Sequence, residues 1–330
     1  MESEGLVMDD LMKRRSDLAM EVVEQFIGRA SGTTSGIIRD DYQVGDLLVS
    51  TIDILPSYEK NFGKDAGRYV SIDTSKLGLD NADKLEATRK VFSEELAKLL
   101  EYKNINHDAT CLVIGLGNEN ITPDALGPMV LDNIIVTRHL YELAHEELDD
   151  EYRQVSALAP GVMGLTGIET YDIIESVVKK TKPDFLVVID ALAARAVSRV
   201  NKMIQMTDTG IAPGSGVGNR RRRIDEKSLG IPVIAIGIPT VVDAVSVTHD
   251  TIEMLLDQLG KKGKGNAELL GKMGALGKEE KRQLLTEVLT PTGYNLIVTP
   301  KTIDAEMEDL SRLVSNALNV ALHPLIEFSA

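Results

Sequence analysis

Tryptophan is absent from this 330-residue chain, cysteine occurs once, and there are 5 phenylalanines and 8 tyrosines. With so few aromatics, Leu, Ile, Val, Ala and Met must fill the core. One cysteine cannot close an internal disulfide, so no disulfide framework is expected and a reducing compartment suits the chain. No apolar run approaches the roughly 20 residues a membrane-spanning helix needs. The acidic start, Met1-Glu-Ser-Glu-Gly5, lacks the apolar segment of a secretory signal. Positive charge is also short: 36 Lys and Arg stand against 51 Asp and Glu, a formal net charge of -15. Nucleic acid and anionic membrane are polyanions, so neither is expected as a partner. The chain is expected to be soluble and cytoplasmic.

The most informative stretch runs from Thr110 to Gly127. A short apolar run, Cys111 to Ile114, ends in Gly115-Leu116-Gly117, and a loop then carries Asp124 into a helical pattern. A continuous apolar run of this kind reads as a strand covered on both faces. Phe185 to Ile189 has the same form and ends in Asp190. Two carboxylates therefore fall at the carboxyl ends of two expected parallel strands, where open α/β sheets place their ligands.

Around that pair the spacing predicts helices over Leu18–Ile27 and Asn81–Tyr102, and strands over Asp46–Leu55 and Arg68–Asp73. A helix over Ala125–His145, a strand from Ser156 into a glycine-rich loop, and a helix over Ile168–Lys180 follow. Strands over Met203–Met206 and Pro232–Ile236 and a helix from Asp243 or Ala244 to Leu259 complete a repeating strand–helix order. That order predicts an α/β fold, a mostly parallel sheet sandwiched between helices, with its core over residues 110–259. Residues 261–278 mix Gly and Lys and read as a loop or linker. The C-terminal region, 279–330, reads as a helix over Glu279–Leu289, a short strand over Tyr294–Val298 and a closing helix over Ile303–Leu322.

Several candidate chemistries fail on their residues. Asp208-Thr209-Gly210 matches the tripeptide of pepsin-like proteases, but that dyad needs two copies on an all-β chain; a turn bonded to its local backbone is expected instead. Gly115-Leu-Gly117 lacks the third glycine of a dinucleotide fingerprint. Gly214-Ser215-Gly216-Val-Gly218 neither opens from an apolar strand nor forms a nucleophile elbow. Cys111 lies inside an apolar run and reads as an inert core residue. The five histidines show no His-x-x-x-His spacing, and no metal or other cofactor is expected. Arg220 to Arg223 reads as a solvated face able to attract an acidic peptide. Asp124 reads first as a helix cap, worth about 1 kcal/mol. Asp190 has few local partners, and burying it unpaired would be expensive, so a second group must share a proton or hydrogen bond with it.

Longer motifs carry a resemblance. Thr122-Pro-Asp-Ala-Leu-Gly-Pro128, Ala159-Pro-Gly-Val-Met-Gly-Leu-Thr-Gly-Ile-Glu-Thr170, Ile189-Asp-Ala-Leu-Ala-Ala-Arg195, the stretch Asp208 to Arg220, and Leu229 to Ala244 resemble the germination protease of spore-forming bacteria. The resemblance implies a homotetrameric endopeptidase that degrades small acid-soluble spore proteins in the spore cytoplasm at germination. It implies a fold shared with the hydrogenase-maturation peptidases. It also implies an atypical aspartic protease whose two catalytic residues fall on Asp124 and Asp190.

The resemblance further implies a zymogen that clips its own N-terminus. Arg15-Ser16-Asp17-Leu18-Ala19-Met20-Glu21 is similar to that site and to the substrate pattern, with cleavage between Asp17 and Leu18. Residues 1–17 would then be a leader and 18–330 the peptidase domain. Gly161, Gly164, Gly214 and Gly216 would let a peptide backbone approach and offer N–H groups to an oxyanion. Arg195 or the Arg220–Arg223 cluster would hold the acidic side chain before the scissile bond. Two rival readings remain: a metal-dependent peptidase using Asp124 or Asp190 with Glu169 or His249, and a non-enzymatic nucleotide-binding module.

Overall fold

Apolar runs buried on both faces make the centre of one sheet, and a charged, alternating wing extends it. The computed structural model describes residues 17–27, 32–34, 36–75, 82–143, 152–214, 221–261, 277–289 and 296–323. The strands in chain order are β1 (Gly32–Thr34), β2 (Ile37–Val44), β3 (Leu47–Ile54), β4 (Gly67–Asp73), β5 (Cys111–Gly115), β6 (Val155–Leu158), β7 (Phe185–Ala194), β8 (Met203–Thr207), β9 (Val233–Asp243) and β10 (Ile297–Val298). They form one sheet in the order β1-β2-β3-β4-β8-β9-β7-β5-β6, with β10 on β9. β6, β5, β7 and β9 pair in parallel, while β1 to β4, β8 and β10 join antiparallel. The expected α/β class is observed, with its parallel block in the region from residue 110 onward.

The helices are α1 (Ala19–Ile27), α2 (Glu59–Phe62), α3 (Ala82–Tyr102), α4 (Leu126–Leu131), α5 (Arg138–Leu143), α6 (Met163–Thr166), α7 (Thr170–Thr181), α8 (Glu226–Leu229), α9 (Ala244–Lys261), α10 (Lys278–Leu289) and α11 (Ile303–Leu322). One face of the sheet buries Val113, Val187, Ile189, Ile204 and Ile236 against Phe92 and Leu96 of α3 and Leu310, Val314 and Leu318 of α11. The other packs Leu112, Ile114, Leu186 and Val188 on Tyr171, Ile174 and Val178 of α7. α1 covers the wing with Ala19, Met20, Val22 and Val23 on Ile37, Ile52 and Tyr69. Every position of β5 is buried, as its unbroken apolar run requires.

Four expectations are revised. The helix over 125–145 is two helices, α4 and α5, because the Asn319 side chain of α11 takes the backbone between them. Its Oδ1 accepts the Ile135 N–H at 3.0 Å and its amide donates to the Asn133 carbonyl at 2.9 Å. Asp190 does not end its strand: β7 runs on to Ala194, paired with β9 through a bulge in which Leu192 faces Pro239 and Ala193 faces Val241. The helix expected from Ile168 starts at Thr170, behind Glu169. β2 was not anticipated, since its Arg39 and two aspartates mask the alternation; Arg39 is buried and bonds Asp41 at 2.9 Å. The expected leader, apart from Asp17, and nearly all of the Gly/Lys-rich stretch lie outside the described residues.

Gly115 and Gly127 let β5 and α4 touch backbone to backbone. A Cβ on Gly127 would lie 2.3 Å from the Leu116 carbonyl oxygen and 2.4 Å from its nitrogen. Alanine in a helix normally gains about 1 kcal/mol over glycine, whereas overpacking a tight contact costs about 1–3 kcal/mol. Gly127→Ala is expected to lower stability despite its better helix propensity. Urea denaturation reads the sign directly.

Candidate active site

Asp124 ends a single 3-10 turn, Thr122–Asp124, between β5 and α4. It does not cap α4, whose N-cap position is Ala125, without a side-chain bond. Its Oδ2 accepts the Asn118 N–H at 2.9 Å instead. The loop closes this tightly because of Gly117: its φ is +117°, and a Cβ there would lie 1.9 Å from the Asp124 carbonyl oxygen. A non-glycine residue would meet both penalties at once. Across the site, the bulge in β9 leaves Thr240 without a partner on β7, and its hydroxyl turns to the Pro123 carbonyl. That bond ties the Asp124 turn to β9, and bulges recur where a side chain must be re-aimed.

Asp190 is 7% exposed and its Oδ1 accepts the Ala191 N–H at 3.0 Å. Burial pushes its pKa well above the usual carboxyl range, and the charges of Asp124 and then Asp17 push it further; the Ala191 N–H and Arg221 oppose them. Asp124 is half-buried, and burial raises it too, against the Asn118 N–H and Arg221. The repulsion acts on the deeper group, Asp190, as expected when two carboxyls share a poorly solvated space.

Asp17 and Leu18 enter the same neighbourhood. The Asp17 N–H donates to the Ala193 carbonyl at 3.2 Å, and its Oδ2 accepts the Ala193 N–H at 2.9 Å. Leu18 is fully buried with Leu192, Ala194, Val200, Met203 and Val242. The Asp17 carbonyl accepts from Lys64 Nζ at 2.9 Å and Gln205 Nε2 at 3.3 Å. Burial lowers the Lys64 pKa, with the Asp17 charge acting the other way. Nothing in the sequence pattern singled out Lys64 or Gln205, since one lies in a turn and the other looks like an ordinary strand position.

The other expected site residues are more dispersed. Gly161, with φ +69°, lies between β6 and α6, and its carbonyl accepts from the Thr170 hydroxyl at 3.2 Å. Gly164 lies within the exposed turn α6, and Gly214 has φ +70°. Gly216 and Arg220 are outside the described residues. Arg195 meets Glu21 through its main chain: the Arg195 and Ala196 N–H groups donate to that carboxylate at 2.8 and 3.0 Å.

The neighbouring Arg222 bonds Asp172 at 3.0 Å, and Arg223 bonds Asp65 at 2.6 Å and Asp225 at 2.9 Å. Asp208 reaches beyond its local turn to accept the Arg68 N–H at 2.7 Å. Cys111 is buried, and burial raises its thiol to about 12. Of the residues in the metal reading, Glu169 precedes α7 and His249 is buried in α9. Among the described residues, no three His, Cys, Asp or Glu form a group able to hold a metal ion. Among them, too, no helix is long and apolar enough to cross a membrane.

Comparison with known proteins places the chain in the class of peptidases. A family model described as germination protease matches residues 15–268 and 261–329. The germination protease of Bacillus subtilis (strain 168) is 44% identical over 342 residues, covering 94% of this chain and 93% of its own length. That of Priestia megaterium is 45% identical over 352 residues, covering 97% and 95%. This chain belongs to the germination protease family. Among solved structures, the NiFe hydrogenase maturation protease HycI from Thermococcus kodakarensis KOD1 aligns with 68% of this chain and 98% of its own, at 16% identity and a TM-score of 0.33.

The raised pKa of Asp190 has a stability consequence with a definite sign. A carboxyl whose folded pKa lies above its unfolded value near 3.8 makes folding less favourable as pH rises between the two values. Asp190→Asn is therefore expected to melt higher than the parent at neutral pH. That advantage should shrink as pH falls toward about 4. Melting curves across that range test it, and equal midpoints at neutral pH would contradict a folded-state pKa raised above the unfolded one.

Proposed function

We propose that the chain is an endopeptidase whose aspartate pair activates water, made as a zymogen that cuts itself between Asp17 and Leu18. Its substrates are small acid-soluble spore proteins, degraded in the spore cytoplasm at germination, and the working assembly is a homotetramer. The observation that supports the mechanism is the burial of Asp190 within reach of the Asp124 charge, which raises its pKa further, with Asp17 contributing to the same field.

In this mechanism each carboxyl has one job. Asp124, the more exposed member, takes a proton from water as the oxygen attacks the peptide carbonyl. Asp190 gives its proton to the leaving amide nitrogen as the C–N bond breaks. Groups with separated proton affinities suit such paired acid and base work, and each such transfer typically contributes 10²–10⁴-fold. The segment Asp17-Leu18-Ala19-Met20-Glu21 suggests how a substrate lies. Its acidic residue meets the Ala193 N–H, its apolar residue fills a buried pocket, and its later glutamate meets the N–H groups of Arg195 and Ala196. Main-chain N–H groups, more than the Arg195 guanidinium, read the acidic positions in this arrangement.

Digestion of a peptide containing Glu-Phe-Ala tests the activity. Asp124→Asn and Asp190→Asn should each cut it at least roughly 100-fold more slowly than the parent, with intact folding by circular dichroism. Self-processing is followed by mass spectrometry, where the mature chain should begin at Leu18. An Asp190→Asn protein that processes itself at the parent's rate would falsify the dyad.

A further inference from the structure

Beside the Asp17–Leu18 bond, the Asp17 carbonyl oxygen meets two side-chain donors. It accepts from the Lys64 ammonium at 2.9 Å and from the Gln205 side-chain amide at 3.3 Å. A third contact fixes which end of that amide faces Asp17. Gln205 Oε1 accepts the Ala19 N–H at 2.6 Å, so the NH2 end is the one presented to the carbonyl.

Lys64 comes from the turn between α2 and β4, and Gln205 from β8. Both line a cavity of about 80 Å³ that also touches Asp17, Leu192 and Gly237. Gln205, Gly237 and Asp190 stand opposite one another on β8, β9 and β7. Residues facing each other across a sheet share a face, so the Gln205 amide and the Asp190 carboxyl project on the same side. Gly237 places no side chain between them. A Cβ there would lie 2.4 Å from Leu192 Cδ1, so glycine also makes room for Leu192 beside the cavity.

A lysine amine aimed at a neutral main-chain carbonyl gains less there than it would against a charged oxygen. The same geometry suits a carbonyl about to become an anion, because preorganised donors stabilise developing charge far more than a neutral oxygen. We propose that Lys64, assisted by the Gln205 amide, is the electrophilic group of self-cleavage and stabilises the oxyanion formed on Asp17. The assignment rests on reading Asp17–Leu18 as the bond that is cut.

The step balances with the dyad. Water oxygen bonds to the Asp17 carbonyl carbon, and one water proton passes to Asp124. The C=O electron pair moves onto oxygen, held by Lys64 and Gln205, which keep their own protons. The pair then re-forms the carbonyl, the C–N bond to Leu18 breaks, and the nitrogen takes the proton of Asp190. The outcome is a free Asp17 carboxyl, a Leu18 amine, and a dyad proton moved from Asp190 to Asp124.

The test follows release of the segment ahead of Leu18 by intact mass at one pH, with melting curves as the control for folding. Lys64→Met should slow release roughly 10²–10³-fold without changing the melting midpoint. Lys64→Arg, which restores a charged donor, should process within about tenfold of the parent. Lys64→Met processing to Leu18 at the parent's rate overturns the role of Lys64. If Lys64→Met does not fold, Gln205→Glu decides. It keeps the acceptor for the Ala19 N–H and removes the donor to Asp17, so a slowing of about tenfold or more supports the proposal and an unchanged rate overturns it. A parent protein whose mature chain starts elsewhere sinks the cleavage reading and the oxyanion role together. A Leu18 start with an indifferent Lys64→Met sinks the oxyanion role alone.

Discussion

Asp190 lies inside a strand, almost out of reach of water, with a second carboxyl close enough for its charge to raise Asp190's pKa further. An isolated ionised carboxylate in such a place would cost several kcal/mol, and the raised pKa reflects that cost. Everything local serves that arrangement. Arg221 tempers both acids, the Asn118 N–H favours ionised Asp124, and Asp190 has the weaker compensation of its neighbour's N–H. Two chemically identical side chains are thereby made unequal in their surroundings.

The inequality depends on small backbone features. Gly117 folds the Asp124 turn back onto Asn118, and the Gly115–Gly127 contact brings α4 against β5 at van der Waals range. The extra residue in β9 turns the Thr240 hydroxyl to the Pro123 carbonyl. Pro239 fits there because a bulge tolerates a residue without an N–H. These are contacts among main-chain atoms and short side chains, so the turn's position is set by steric fit.

Much of the parallel block was legible because strands buried on both faces leave continuous apolar runs, as Cys111–Ile114 and Phe185–Ile189 do. The closing helix Ile303–Leu322 was legible from its spacing and has those bounds. The antiparallel wing was not. β2 carries Arg39, Asp40 and Asp41, and the ion pair that makes burial of Arg39 tolerable is invisible until the strand folds. Nor does sequence order show β8 lying between β4 and β9. At the site, strand-end reasoning selected Asp124 and Asp190, although Asp190 proved to be mid-strand and Asp124 proved not to be a cap. Lys64 and Gln205 were missed for a plain physical reason. Their significance comes from contact with Asp17, 47 and 188 residues away, and local spacing carries no trace of it.

That separation also orders events in time. A nascent chain emerges N-terminus first, yet the places that receive Asp17 and Leu18 are built by β7 and β8, more than 170 positions later. Ordering contacts so distant requires closing a very long loop, which comes late in assembly. While the ribosome is still making the second half of the protein, the bond after Asp17 has nowhere to sit. The contacts that hold Asp17 and Leu18 therefore form only once β7 and β8 have joined the sheet.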